Sequence, residues 1–137
     1  LVAKLNIEIK DTVFDPNLPR SSRNKVQIRE EKGTTYYKVW LYLEGEDLPY
    51  VESVTYSLHE TFRNPNRTVR RTPSNPNCQL VIWTWGVFTV GARIVDKRDL
   101  TYELSQRLEY DKQLPSEEDL YDYGDSSSNK GAKLVPA

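Results

Sequence analysis

Residues 36–44 read Tyr-Tyr-Lys-Val-Trp-Leu-Tyr-Leu-Glu. Tyr37, Val39, Leu41 and Leu43 share one parity, and Tyr36, Lys38, Trp40 and Tyr42 share the other. A period of two sends successive side chains to opposite faces of a strand. Aromatic and β-branched residues suit such a pleated, half-buried surface. The same alternation continues outward from this stretch. Leu5, Ile7 and Ile9 alternate with polar residues, as do Val26 and Ile28. Val54, Tyr56 and Leu58 alternate with Ser53, Thr55 and Ser57 across 51–59, and further runs follow at 78–83, 85–95 and 101–110. Residues 98–110 make a poor helical stripe, because Tyr102, Ser105 and Glu109 would share one face, so a strand is expected there.

Between the runs stand Asp15-Pro16-Asn17, Glu31-Lys32-Gly33, Glu44-Gly45-Glu46-Asp47, Asn64-Pro65-Asn66 and Pro73-Ser74-Asn75-Pro76-Asn77. Each supplies the positive φ, the fixed φ or the local side-chain hydrogen bond that a tight turn needs. Seven to eight short strands with frequent turns predict an all-β, immunoglobulin-like antiparallel β-sandwich. The boundaries expected are 1–23 for an N-terminal strand and loop extension, 24–111 for the sandwich core, and 112–137 for an acidic segment with a flexible tail. Residues 111–125 hold six acidic residues and one Lys. A short helix is expected at 116–123, capped by Ser116 with Glu118 and Asp119 behind it.

The chain has 137 residues, which suits one domain. Its formal net charge of −1 provides no field to draw it onto nucleic acid or a membrane surface. No apolar run reaches the ~20 residues of a membrane-spanning helix, so no direct membrane insertion is expected. A lone Cys78 rules out an internal disulfide and a multi-cysteine zinc site, and a free thiol fits a reducing compartment. An intracellular, cytoplasmic location is expected. The absence of Met, including at position 1, suggests a piece of a longer parent chain with other domains. Asn66-Arg67-Thr68 matches a glycosylation tripeptide, which carries little weight without a secretory signal.

Enzyme templates fail in turn. One histidine, His59, has no carboxylates spaced to complete a metal site. Cys78 reads as a buried, inert thiol in a strand run, not as half of a dyad with His59. The six glycines form no phosphate-cradling cluster. No catalytic residue, metal or cofactor is expected. Two strings stand apart: Leu58-His59-Glu60-Thr61-Phe62 after one strand, and Thr84-Trp85-Gly86-Val87-Phe88 between two others. If the loops meet, aromatic faces can stack on a flat amide, and a hydroxyl with a backbone N–H can satisfy its polar atoms. Gly86 would let the backbone approach closely.

The order Val54-Thr55-Tyr56-Ser57-Leu58-His59-Glu60-Thr61-Phe62, then Pro65-Asn66-Arg67, then Trp85-Gly86-Val87-Phe88-Thr89-Val90 resembles the YEATS family. Tyr42-Leu43-Glu44-Gly45 and Leu100-Thr101-Tyr102-Glu103-Leu104 resemble its flanking strands, so the likeness spans about 24–111. The resemblance implies an immunoglobulin-like sandwich and a non-enzymatic module that binds acetyl- or crotonyl-type acylated lysine in a peptide or protein. By the same resemblance Trp85 and Phe62 form an aromatic sandwich, and Thr61 and a backbone N–H near Trp85–Gly86 bond the amide. His59 lines the slot, and Tyr36 or Tyr37 supplies a third ring. Thr84, Val87 and Asn77-Cys78 depart from the family's Gly, acidic residue and Pro-Phe, and this divergence suggests a bacterial branch, whose domains resemble modules attached to signalling or membrane partners and need not bind a histone.

Two other readings compete. One is a carbohydrate-binding sandwich using Trp40 and Tyr42 on an open face. The other is a structural or protein-interaction domain of a larger signalling protein, with Trp85 packed inward and no working slot. The basic residues Arg63, Arg67, Arg70 and Arg71 read as a solvated loop face, and Trp83 and Trp40 as packing residues.

Overall fold

A computed structural model describes residues 5–124. The described chain is all-β, with nine strands in two sheets. They are β1 (Glu8–Thr12), β2 (Val26–Glu31), β3 (Thr34–Glu44), β4 (Val51–Ser57), β5 (Asn66–Arg70), β6 (Leu80–Thr84), β7 (Thr89–Asp96), β8 (Thr101–Arg107) and the two-residue β9 (Tyr121–Asp122). One sheet runs β1-β3-β2-β9 with β6 also on β3, and the other runs β5-β4-β7-β8. Seven of the eight longer strands answer the runs read in the sequence; β5 falls where a turn and a solvated loop face were expected, and β9 adds a ninth. The runs at 78–83 and 85–95 settle as 80–84 and 89–96, which leaves 85–88 outside both strands. The first four residues and the tail beyond 124 lie outside the described residues.

Two compact units emerge among the described residues: 5–11, 41–80 and 88–108 form one, and 12–40, 81–87 and 109–124 form the other. The first holds the whole β5-β4-β7-β8 sheet. Val54, Tyr56, Val90, Ala92 and Ile94 are buried there, and the intervening residues face outward, as period two requires. Buried Tyr56 donates its hydroxyl to the Cys78 carbonyl at 2.7 Å, which anchors the loop before β6. Gly45, at φ +149°, lets the chain pass the N-terminal strand: an added Cβ would run into the Asn6 carbonyl oxygen and lie 3.0 Å from Ile7 Cα. The β7–β8 turn is organised by Asp96. Its carboxylate accepts bonds from the Arg98 and Leu100 N–H groups, the Arg98 guanidinium and the Tyr102 hydroxyl. Burial pushes that carboxyl up, but the bonds from Arg98 and the two backbone groups outweigh it and hold it below the ordinary carboxylate range.

In the second unit, β2 and β3 form a hairpin whose two loop residues, Lys32 and Gly33, both have positive φ, as a type I′ turn demands. Its core holds Val13, Phe14, Val26, Ile28, Val39, Ile82 and Tyr110. Trp40 is only 4% exposed although its parity opposes that of Val39, and the Lys38 ammonium lies 5.2 Å from its ring centroid.

Three expectations are corrected. The helix at 116–123 is absent: a 3-10 turn spans Glu118–Leu120 without a side-chain cap, and Tyr121–Asp122 pair with Val26–Gln27. An isolated eight-residue helix is unstable, whereas pairing on β2 satisfies backbone groups at once. That pair is parallel, so the sheet is not wholly antiparallel. Cys78 is buried as expected but sits in a turn at φ +54°, not in a strand.

Candidate functional site

The loop after β4 is closed by Leu58 N–H donating to the Pro65 carbonyl at 2.8 Å. Inside it, Phe62 N–H donates to the His59 carbonyl at 3.0 Å, and Thr61 N–H reaches His59 Nδ1 at 3.2 Å. The Thr61 hydroxyl also meets Nδ1, at 2.8 Å. Arg67 holds the far side of the loop: its Nε and Nη2 donate to the carbonyls of Asn64 at 3.0 Å and Arg63 at 2.9 Å, and its guanidinium lies 5.9 Å from the Phe62 centroid. These bonds support Asn64 in its left-handed conformation at φ +53°.

Phe88, just before β7 in the same unit, is the ring the loop closes on. His59 meets it edge-on at 6.0 Å and Phe62 is tilted against it at 5.4 Å. His59 and Thr61 are exposed, and Phe62 and Phe88 are half-buried. The unit thus offers an apolar aromatic wall with a polar edge. Sequence reasoning placed Phe88 in a motif but gave it no role, and it placed Arg67 on a solvated face. The signal for Phe88 was its position directly before a strand that starts beside the end of β4.

In the other unit, buried Thr84 shapes the turn that bears Trp85. Its hydroxyl donates to the Gly86 carbonyl at 2.9 Å and lies 3.3 Å from the Gly86 N–H, which donates to it. The Trp85 ring is 57% exposed. A Cβ added to Gly86 would meet no heavy atom within 4 Å, so local packing does not require glycine there. Tyr36 and Tyr37 lie within β3, opposite Arg29 and Ile28, and the Tyr37 ring stands 5.9 Å from that of Tyr110. Trp83 lies under the Arg29 guanidinium at 4.1 Å. The structure therefore brings His59 and Phe62 against Phe88 with Thr61 bonded to His59, seats Trp85 and Gly86 on one turn, and sets both tyrosines in a strand.

Of the basic residues, Arg70 pairs with Glu52 at 2.6 Å, and Arg71 donates to the Pro76 carbonyl at 3.0 Å. Burial pushes the Cys78 thiol up to about 11, against a smaller opposing effect of Arg71. Such a thiol is a poor nucleophile at neutral pH. Among the described residues, no three His, Cys, Asp or Glu side chains are grouped to hold a metal. No described helix is long and apolar enough to cross a membrane.

An all-β chain of two sheets, with an aromatic and hydroxyl-bearing loop after its β4 strand, has a β-sandwich architecture. Residues 37–109 match the prokaryotic YEATS domain, and the chain belongs to that family. No curated protein matches it. Among solved structures it is similar to the yeast AF-9 homologue Yaf9, with 22% identity, a TM-score of 0.48, and coverage of 77% of this chain and 64% of that one. It is also similar to the Yaf9 YEATS domain solved with an H3K122suc peptide, with 16% identity, a TM-score of 0.51, and coverage of 83% and 82%. The second likeness shows a shared β-sandwich fold.

Proposed function

We propose that this domain is a non-enzymatic reader of acylated lysine on a peptide or protein, gripping the acyl amide by aromatic stacking and two hydrogen bonds of fixed polarity. The observation that carries the reading is the His59–Thr61 pair beside the Phe62 and Phe88 rings. A backbone N–H can only donate, so the Thr61 N–H makes His59 Nδ1 an acceptor. The Thr61 hydroxyl then also gives its proton to Nδ1. What remains at Thr61 Oγ1 is lone pairs, which suit the N–H of a lysine amide. The acyl carbonyl needs a donor. Gly86 N–H is taken by Thr84, so the Trp85 N–H is assigned that role.

Trp85 and Phe62 are the proposed stacking pair. The exposed Trp85 side chain supports this. Tyr36 or Tyr37 is the third ring of the reading, and the Tyr37–Tyr110 contact favours Tyr36. A neutral amide suits such a slot because a free lysine ammonium would lose its hydration there. The peptide class is supported by the Yaf9 YEATS domain recognising an H3K122suc peptide. The stacking-type sugar reading loses support because Trp40 is only 4% exposed, and the decayed-slot reading because Trp85 is 57% exposed.

The test is calorimetric titration of acetyl- and crotonyl-lysine peptides, with the unmodified peptide as control, into wild type and Trp85→Ala. Wild type should bind only acylated peptides, and Trp85→Ala should weaken binding at least about tenfold, or about 1.4 kcal/mol. Identical traces for the two proteins would end the reading.

A further inference from the structure

The outward face of the β5-β4-β7-β8 sheet carries a groove of about 340 Å³, lined by Thr55, Ser57, Asn66, Gly91, Arg93 and Glu103 together with Ala92. Strand register explains how these residues meet. One row across the sheet is Asn66, Ser57, Gly91 and Ser105, and the next is Thr68, Thr55, Arg93 and Glu103. Every side chain in the two rows is polar except Gly91, whose missing side chain opens the notch.

The fold does not account for that glycine. Gly91 lies inside β7, paired on both sides, where glycine weakens a strand. Its φ is not in the left-handed region, and an added Cβ would make ordinary contact, 3.4 Å from Ser57 Cβ and 4.0 Å from the Leu104 carbonyl oxygen. A glycine that neither backbone nor packing requires marks a place where something approaches the strand closely.

We propose that the notch over Gly91 binds a neutral polyhydroxylated ligand, a sugar residue. The lining selects that chemistry. An apolar guest would strip water from hydroxyl, amide, guanidinium and carboxylate groups without replacing their hydrogen bonds. An ionic guest would meet both signs at once, because Arg93 Nε and Glu103 Oε2 pair at 2.9 Å. Vicinal hydroxyls match the lining, since each can donate to the carboxylate and accept from the guanidinium or amide. The groups are also held in place beforehand. Ser57 Oγ donates to Asn66 Oδ1 at 3.1 Å, which leaves the Asn66 NH₂ to donate outward, and Thr55 and Thr68 share a 2.8 Å bond. Such preorganisation lowers the cost of binding. The volume lies at the small end of ligand sites, in keeping with one sugar unit. Binding here rests on hydrogen bonds without a stacking ring, and it is independent of the acyl-lysine reading.

The experiment is amide chemical-shift titration by NMR with glucose, galactose, mannose and N-acetylglucosamine at millimolar concentrations, with glucose 6-phosphate and butanol as charged and apolar controls. At least one neutral sugar should give saturable shifts centred on Ser57, Gly91, Arg93 and Glu103. Gly91→Thr fills the notch with a good strand former, so it should keep or raise Tm while weakening sugar binding at least tenfold. Glu103→Gln should weaken it several-fold with the fold intact. Shifts from no sugar, stronger shifts from either control, or undiminished binding by folded Gly91→Thr would each overturn the proposal.

Discussion

Replacing Thr61 by Val removes one oxygen and keeps the branched shape, so it isolates the hydrogen bond assigned to that hydroxyl. The fold should hardly notice. Thr61 is exposed, and the bonds that shape its loop, Leu58 N–H to Pro65 and Phe62 N–H to His59, involve only backbone. The Thr61 N–H also keeps His59 Nδ1 as its acceptor. Stability should therefore stay within about 0.5 kcal/mol. Binding is another matter. The lysine amide N–H would be enclosed against a methyl group, and an unpaired buried donor costs about 1–3 kcal/mol. That range is roughly a 5- to 150-fold rise in Kd. Thr61→Ser restores the oxygen and should return binding to within about twofold. Calorimetry with an acetyl-lysine peptide, alongside thermal melts of all three proteins, reads both effects. If folded Thr61→Val binds as wild type does, the hydrogen-bond polarity argued from His59 is wrong.

Other predictions concern the scaffold. Tyr56→Phe deletes the buried bond to the Cys78 carbonyl and should cost about 1–3 kcal/mol in urea denaturation with an unchanged m-value. Gly45→Ala forces a Cβ onto the Asn6 carbonyl oxygen at φ +149° and should cost at least ~2 kcal/mol by the same assay. Burial holds the folded Cys78 thiol at about 11, above its unfolded value. Its contribution to stability is complete below the ordinary thiol range and is lost as pH rises toward about 11, so wild type should lose more stability than Cys78→Ala between neutral and alkaline pH. Asp96 has the opposite sign. Its folded carboxyl is held low, so its stabilisation is present above the unfolded value and lost as pH falls through the folded one. Asp96→Asn should remove that part of the acid slope in melts taken at descending pH.

Much of the strand content was legible because half-burial writes itself into parity. Val39, Leu41 and Leu43 are fully buried, as their alternation requires, and Val54 and Tyr56 likewise. The turn at Glu31-Lys32-Gly33 was legible for a local reason, since Gly33 takes a positive φ at no steric cost; that Lys32 takes one too, closing a two-residue hairpin, was not. Parity did not show that Trp40 would be covered. Parity records which face a side chain takes and not what lies over it: the Lys38 ammonium, two positions away on the same face of β3, stands 5.2 Å from the Trp40 ring centroid. Nor did local chemistry reveal β9. The acidic stretch carried helix-start signals, but its backbone found the edge of β2 ninety-five positions away along the chain, Val26 opposite Tyr121.

The candidate site divides the same way. Its residue types stood in the sequence as two strings, and from those alone His59, Thr61, Phe62 and Trp85 could be singled out. Only the tertiary structure decided that Phe88 is the ring on which His59 and Phe62 close, that Arg67 ties down the loop carbonyls, and that Thr84 takes the Gly86 amide. Side-chain parity and turn preference are properties of neighbours along the chain, so they survive in one dimension. Which ring meets which, and which amide is already bonded, depends on strand register and loop closure between distant segments, and those exist only once the chain has folded.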